Sequence, residues 1–182
     1  ERSANDNLAL SYPAPVKGSF NIGVLHTYLT GREPHASYAP CSLDDLRSRG
    51  YDYWALGHVH EFEEVANNPP IVFPGNLQGR SVRELGAKGA LLVTVDDGRV
   101  ALERLIVDEA RFASVEVGVD VDHGSSEILQ RVEAAARAIR ASADGRTTAL
   151  RVRLKGASRL HRNFTANRLQ WIDEVQAACH RA

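Results

Sequence analysis

The apolar positions of the first half of the chain come in short bursts separated by turn residues. Phe20–His26 (FNIGVLH) predicts a short buried strand with a polar end. Ser42 opens a short helix, with Asp45 three positions later in the manner of a capping box, Leu43 and Leu46 as its apolar side, and Gly50 as its stop. Tyr51–Leu56 predicts a second strand ending at Gly57. Strand, helix and strand in this order suggest an α/β arrangement, in which functional groups gather at strand ends. The acidic stretch before Pro69-Pro70 reads as a loop, and Ile71–Phe73 as a brief strand running into a Pro74-Gly75-Asn76 turn. Gly89–Val95 and Val100–Val107, joined by Asp96-Asp97-Gly98, predict a hairpin.

The second half reads as β-α-β-α. Val115, Val117, Val119 and Val121 alternate along Ala113–Val121. Ser125 or its neighbour can cap a helix to about Ser142, with Ile128, Leu129, Val132, Ala136 and Ile139 on one side and Asp144-Gly145 as its break. Along Ala149–Lys155, Leu150, Val152 and Leu154 face one way and Arg151, Arg153 and Lys155 the other. A final helix near Leu169–Cys179 presents Leu169, Ile172, Val175 and Gln176 or Cys179. The expected division is a module at 1–108 and a smaller one at 109–182.

Composition narrows the class. At 182 residues with 43% hydrophobic and 25% charged residues, the chain is long enough to bury a core and is neither disordered nor fibrous in character. No apolar run approaches the eighteen residues of a membrane span, so no membrane role is expected. Cys41 and Cys179 form no CxxC or disulfide framework, which fits a reducing cytoplasm. The chain starts at Glu1 and contains no Met, which suggests a piece of a larger protein. The net charge of −1 hides an asymmetry: residues 1–130 carry 11 basic and 19 acidic side chains, residues 131–182 carry 11 and 4. The basic half fits either a solvated face or a polyanion partner.

The main chemical signal is Gly57-His58-Val59-His60, placed where an α/β sheet presents reactive groups. Imidazole nitrogen is a good ligand for divalent ions, although an HxH alone fits surface or hydrogen-bonded histidines better than a metal site. His26 ends a second apolar strand, so three histidines gather at the ends of two adjacent strands. Asp44, Asp45 and Asp52 read as capping or surface residues, which leaves no carboxylate to bridge two metals. Asn76, Gln78 and Arg80 can approach a phosphate or stabilise their own turn. His35 reads as surface, Tyr38 and Trp54 as packing residues, and His123, His161 and His180 carry no assigned role.

NIGVLHT, YDYWALGHVHE and PPIVFPGNLQGRSVRELGAKGALLVTVD resemble the C-terminal half of a calcineurin-like metallophosphoesterase, closest to its DNA-repair exonuclease branch, the SbcD-like nucleases. The resemblance runs from Asn21 to Val95, with GHVH and PGNLQGR its most specific parts. It implies an α/β fold: the second half of a β-sandwich/α metallophosphoesterase domain, followed by a small β-α-β-α cap that binds DNA. It further implies that His26 and His58 ligate one divalent metal and His60 another, with manganese or a related metal as the expected pair of ions. The family's upstream motifs DxH, GDxxD and GNHD are absent from these 182 residues, so the chain alone is expected to be inactive.

The expected function is metal-dependent hydrolysis of DNA phosphodiesters in repair, with a small-molecule phosphoesterase or a non-catalytic DNA-binding fragment as alternatives. Arg151, Arg153 and Lys155 would contact successive phosphates, with Arg159, Arg162 and Arg168 extending the patch. The resemblance also implies a homodimer and a coiled-coil ATPase as partners.

Overall fold

A computed structural model describes residues 5–30 and 38–182. His35 lies outside the described residues. The chain is mixed α/β and divides into two compact units. One comprises the described residues through Leu77 together with Lys88–Val107; the other comprises Gln78–Ala87 and Asp108–Ala182. No helix among the described residues is long and apolar enough to cross a membrane.

The first unit is built on a four-stranded sheet of β1 (Ile22–His26), β2 (Tyr53–Gly57), β3 (Glu63–Asn67) and β4 (Pro70–Phe73) in the order β1-β2-β4-β3. β1, β2 and β4 run parallel and β3 is antiparallel to β4. The β1–β2 register sets His26 opposite Gly57, so the last side chain of one strand borders a position without one. Trp54 is fully buried, its ring 5.0 Å from those of Tyr12 and Tyr51. A Cβ at Gly23 would lie 2.3 Å from the Trp54 ring, so only glycine lets β1 pass the indole. Helix α1 (Leu43–Ser48) starts as its sequence predicts: Asp45 N–H donates to Ser42 Oγ at 3.1 Å, and Ser42 N–H donates to the Asp45 carboxylate at 2.7 Å.

Two expectations change here. β1 is buried on one side only, since Ile22 and Val24 are 54% and 71% exposed; it is an edge strand whose second face lies away from the Trp54 core. The acidic stretch is a strand, not a loop. Its main chain bonds to β4, and Glu63 and Glu64 suit an edge where charge discourages further pairing.

β5 (Gly89–Asp96) and β6 (Arg99–Ile106) form the expected hairpin. Asp97 and Gly98 have φ of +43° and +76°, the two left-handed residues of a type I′ turn.

In the second unit β7 (Ala110–Val119) and β8 (Thr147–Gly156) pair in parallel, joined through α2 (Ser125–Ala141) and followed by α3 (His161–Ala166) and α4 (Arg168–Arg181). Val117, Val132 and Ala178 form its buried centre. The α2 cap is Gly124, the neighbour of Ser125, and Val121 falls beyond the end of β7. The predicted face of α4 is met in part: Val175 and Cys179 pack against the buried centre. Leu169 and Ile172 are 77% and 39% exposed, whereas Trp171 and Ala178 are buried. The small Ala178 side chain permits packing on Val132, and Trp171 is fixed by donating Nε1–H to Asn163 Oδ1 at 2.6 Å on α3, a helix the periodicity did not indicate.

Candidate metal centre

β1 and β2 end side by side, and their ends carry the histidines. Thr27 N–H donates to Gly57 O at 3.1 Å, which extends the ladder one step past β1. The absent side chain of Gly57 leaves room for the His26 ring; a Cβ there would lie 2.9 Å from His26 Nδ1. His58 follows with φ +111°, a conformation that L side chains rarely adopt. Strain of this kind persists only where surrounding structure enforces it, and it is commonest at functional sites.

The strained residue turns its ring to His26: His58 Nδ1 lies 3.3 Å from His26 Nε2, with the rings at 86°. Two imidazole nitrogens on one tetrahedral ion, each about 2.0–2.1 Å from it, would stand roughly 3.3–3.4 Å apart. The pair therefore fits two ligands of a divalent cation, and without one it is spaced to share a proton. His60 is exposed, two residues further along the same loop. Among the described residues no three His, Cys, Asp or Glu side chains converge closely enough to hold a metal ion.

Tyrosines wall the histidine pair. The Tyr38 ring meets that of His26 edge-on at 5.2 Å and lies nearly parallel to that of His58 at 6.4 Å; Tyr28 meets His58 edge-on at 6.4 Å. Tyr28 N–H donates to Tyr38 O at 2.8 Å, which ties the two together. Tyr38 packs, as expected, but against the histidines. Tyr28 was missed in the sequence, although its position one step past the His26-Thr27 strand end was an available hint. Cys41 lies nearby but is buried; desolvation pushes its thiol pKa up, which disfavours the thiolate a metal needs.

The carboxylates are committed elsewhere. Asp45 caps α1 and accepts from Asn7 Nδ2 at 2.9 Å, Asp52 accepts from Asn21 N–H at 2.7 Å, and Asp44 pairs with Arg47 at 3.5 Å.

The remaining candidate residues are spread over the two units. Asn76 N–H donates to His60 O at 3.2 Å, and Asn76 Nδ2 is buried without a protein partner. Gln78 spends its amide on β7, donating to Ala110 O at 2.5 Å and accepting from Glu109 N–H at 2.9 Å. Arg80 pairs with Glu84 at 2.8 Å, whose hydrogen bonds and charge raise the guanidinium pKa. Arg151, Arg153 and Lys155 all stand exposed on one face of β8. Glu116, beside them on β7, pairs with Lys155 at 3.1 Å and Arg153 at 4.0 Å. Arg159 reaches Asp122 at 3.4 Å. His123 accepts from Asp120 N–H at 3.0 Å and lies 3.3 Å from Glu127.

Residues 112–182 match the family model described as the middle domain of the metallophosphoesterase YhaO. The chain belongs to the calcineurin-like metallophosphoesterases. A Bacillus subtilis (strain 168) protein described as an uncharacterized metallophosphoesterase YhaO is 36% identical over 133 residues, covering 72% of this chain and 33% of that protein. The DNA double-strand break repair protein Mre11 of Thermoplasma acidophilum is 30% identical over 95 residues, covering 50% of this chain and 25% of that protein. The chain thus spans a third or less of the length of these relatives.

Proposed function

We propose that the complete protein is a divalent-metal-dependent phosphodiesterase acting on DNA, with a repair exonuclease as the specific activity. The observation that carries this reading is the His26–His58 pair, 3.3 Å apart at the ends of adjacent parallel strands and held by a strained backbone. His26 and His58 would hold one ion and His60 a second, manganese being the expected metal. Bound metal would polarise the phosphate and lower the pKa of an attacking water. This chain's own part is to orient the imidazoles: Gly57 admits the His26 ring, and Tyr38 and Tyr28 limit rotation of both rings.

A polymeric substrate is favoured over a small ester by the exposed Arg151-Arg153-Lys155 face, which offers sequence-independent phosphate contacts. The Mre11 likeness points the same way, since that relative is described as a DNA double-strand break repair protein. A homodimer and a coiled-coil ATPase remain the proposed partners.

The test uses the complete protein. His58→Ala should abolish manganese-dependent cleavage of duplex DNA and weaken manganese binding in calorimetry. Replacing Arg151, Arg153 and Lys155 by Ala should weaken DNA cleavage but spare a chromogenic phosphodiester. Full DNA cleavage by His58→Ala would sink the metal reading. Equal loss on both substrates in the triple variant would sink the DNA reading.

A further inference from the structure

Lys88 is the least expected buried residue of the first unit: its side chain is 2% exposed, and its ammonium meets the carboxylate of Glu61, itself 61% exposed. Lysine is seldom fully buried without a compensating partner, because desolvation penalises the charged form. Glu61 directly follows His60, and a chain of contacts leads back to the same place. Asn76 N–H donates to His60 O at 3.2 Å, and Gly89 N–H donates to Asn76 O at 3.0 Å. Gly89 is the residue after Lys88. The contacts close a ring: His60, Asn76, Gly89, Lys88, Glu61 and back to His60.

The ring is tight at two further points. Gly75 has φ +79°, and a Cβ there would lie 3.0 Å from both His60 O and Phe62 N. A Cβ on Gly89 would lie 1.9 Å from Leu105 O, so β5 is pressed against β6 where Lys88 enters the core. The loop carrying His60 is thus gripped by its carbonyl from one side and by its neighbour's carboxylate from the other. His60 itself is exposed and lies outside any strand or helix, between β2 and β3, and this grip contributes the order at His60 that β1 and β2 contribute at His26 and His58.

We infer that Lys88, acting through Glu61, is a positioning residue for His60. The inference rests on the proposed role of His60 as a metal ligand. Partners one step removed from a metal typically change affinity or activity by 10–100-fold when lost. Lys88 is read as one such partner, with its buried charge as the anchor.

Two measurements separate this inference from the metal reading. The first needs no metal: amide hydrogen exchange on the metal-free complete protein. Glu61→Gln keeps the side-chain volume and removes the charge at an exposed position, so it guards against a Lys88→Met variant that fails to fold. In Glu61→Gln, exchange of the Asn76 amide should rise by about tenfold, with the β2 amides unchanged. Glu61→Asp should restore part of the protection. The second is manganese calorimetry on the complete protein, where Glu61→Gln should weaken one of two sites by about tenfold and leave the other intact. Unchanged Asn76 exchange overturns the clamp. Faster exchange with both metal sites intact overturns the positioning role. A wild-type protein with no manganese site that depends on His60 removes the metal reading, and leaves the exchange experiment to decide whether the clamp orders the loop.

Discussion

The β1–β4 sheet and the β7–β8 sheet meet the same problem, an apolar face that must be covered, and solve it to different depths. In the first unit Trp54, Ile71, Val72 and Phe73 are 0% exposed, and aromatic rings fill the space over β1 and β2. In the second, Leu150, Val152 and Leu154 of β8 are only half-buried. They line a groove of about 530 Å³ whose other wall includes Phe164, Trp171, Ile172 and Val175. The difference matches the roles proposed for each unit. Metal-ligand geometry tolerates errors of a few tenths of an ångström, and the histidine pair sits on the densely packed sheet. Phosphate contacts are long-range and orientation-tolerant, and the cationic face sits on the loosely packed one.

The largest expected effects test this contrast directly. Trp54→Ala should cost about 3–5 kcal/mol of stability in denaturant unfolding, since the indole is enclosed by Tyr12, Tyr51 and the glycine at position 23. Val152→Ala should cost about 1 kcal/mol or less, because one side of Val152 already borders the groove. Comparable losses would mean that the groove is closed in solution.

Packing is not the only thing that holds the second unit. Asp108 is 4% exposed and lies between Arg111 Nε at 3.1 Å and Arg146 Nε at 2.7 Å. Arg111 is itself only 9% exposed, and the Asp108 hydrogen bond is the leading cause of its raised pKa. Asp108→Ala leaves a buried guanidinium short of its main partner, which typically costs about 3–5 kcal/mol. The second unit would then lose as much from one ion-pair network as the first loses from its largest core residue. A loss under about 1 kcal/mol by the same assay would show that Asp144, 3.1 Å from Arg111, suffices alone.

How much could be read from sequence divides along the same lines. Features encoded in adjacent residues were legible: the Ser42/Asp45 cap, the Asp97-Gly98 turn, and the strand ends carrying His26 and His58. Features set by partners far along the chain were not. The histidine contact depends on the β1–β2 register, and the Lys88–Glu61 pair joins residues 27 apart. β3 escaped because Glu63 and Glu64 have no intrinsic strand preference and are held by main-chain bonds to β4. The predicted face of α4 held at Val175 and Cys179 but not at its first turn, because Leu169 and Ile172 continue the helical stripe as regularly as Trp171 and Ala178 do. Only the choice of a small residue against α2 decides between them.

A smaller effect sharpens the comparison through pH. Hydrogen bonds from Ser42, backbone first and then side chain, hold the Asp45 carboxyl below the ordinary aspartate pKa. A group whose pKa is lower folded than unfolded stabilises the fold above its unfolded value, about 3.9 for Asp, and the contribution is lost as pH falls through the depressed native value. Ser42→Ala should therefore cost about 1 kcal/mol at neutral pH and make the acid limb of the stability profile shallower. An unchanged acid limb would show that the backbone N–H of residue 42, which Ala retains, and Asn7 hold the carboxylate without the hydroxyl.

The smallest expected effect is the most informative about α4. Leu169 is 77% exposed, so Leu169→Gln should change stability by no more than about 0.5 kcal/mol. Ala178→Leu, by contrast, forces added volume between α2, α4 and β7, where overpacking costs about 1–3 kcal/mol. The two substitutions exchange the predicted and observed faces of one helix. If Leu169→Gln were the more damaging in thermal unfolding, α4 would pack through the stripe its periodicity suggested. The groove beside β8 would then be lined by a different set of side chains, and the loose packing of the second unit would no longer hold.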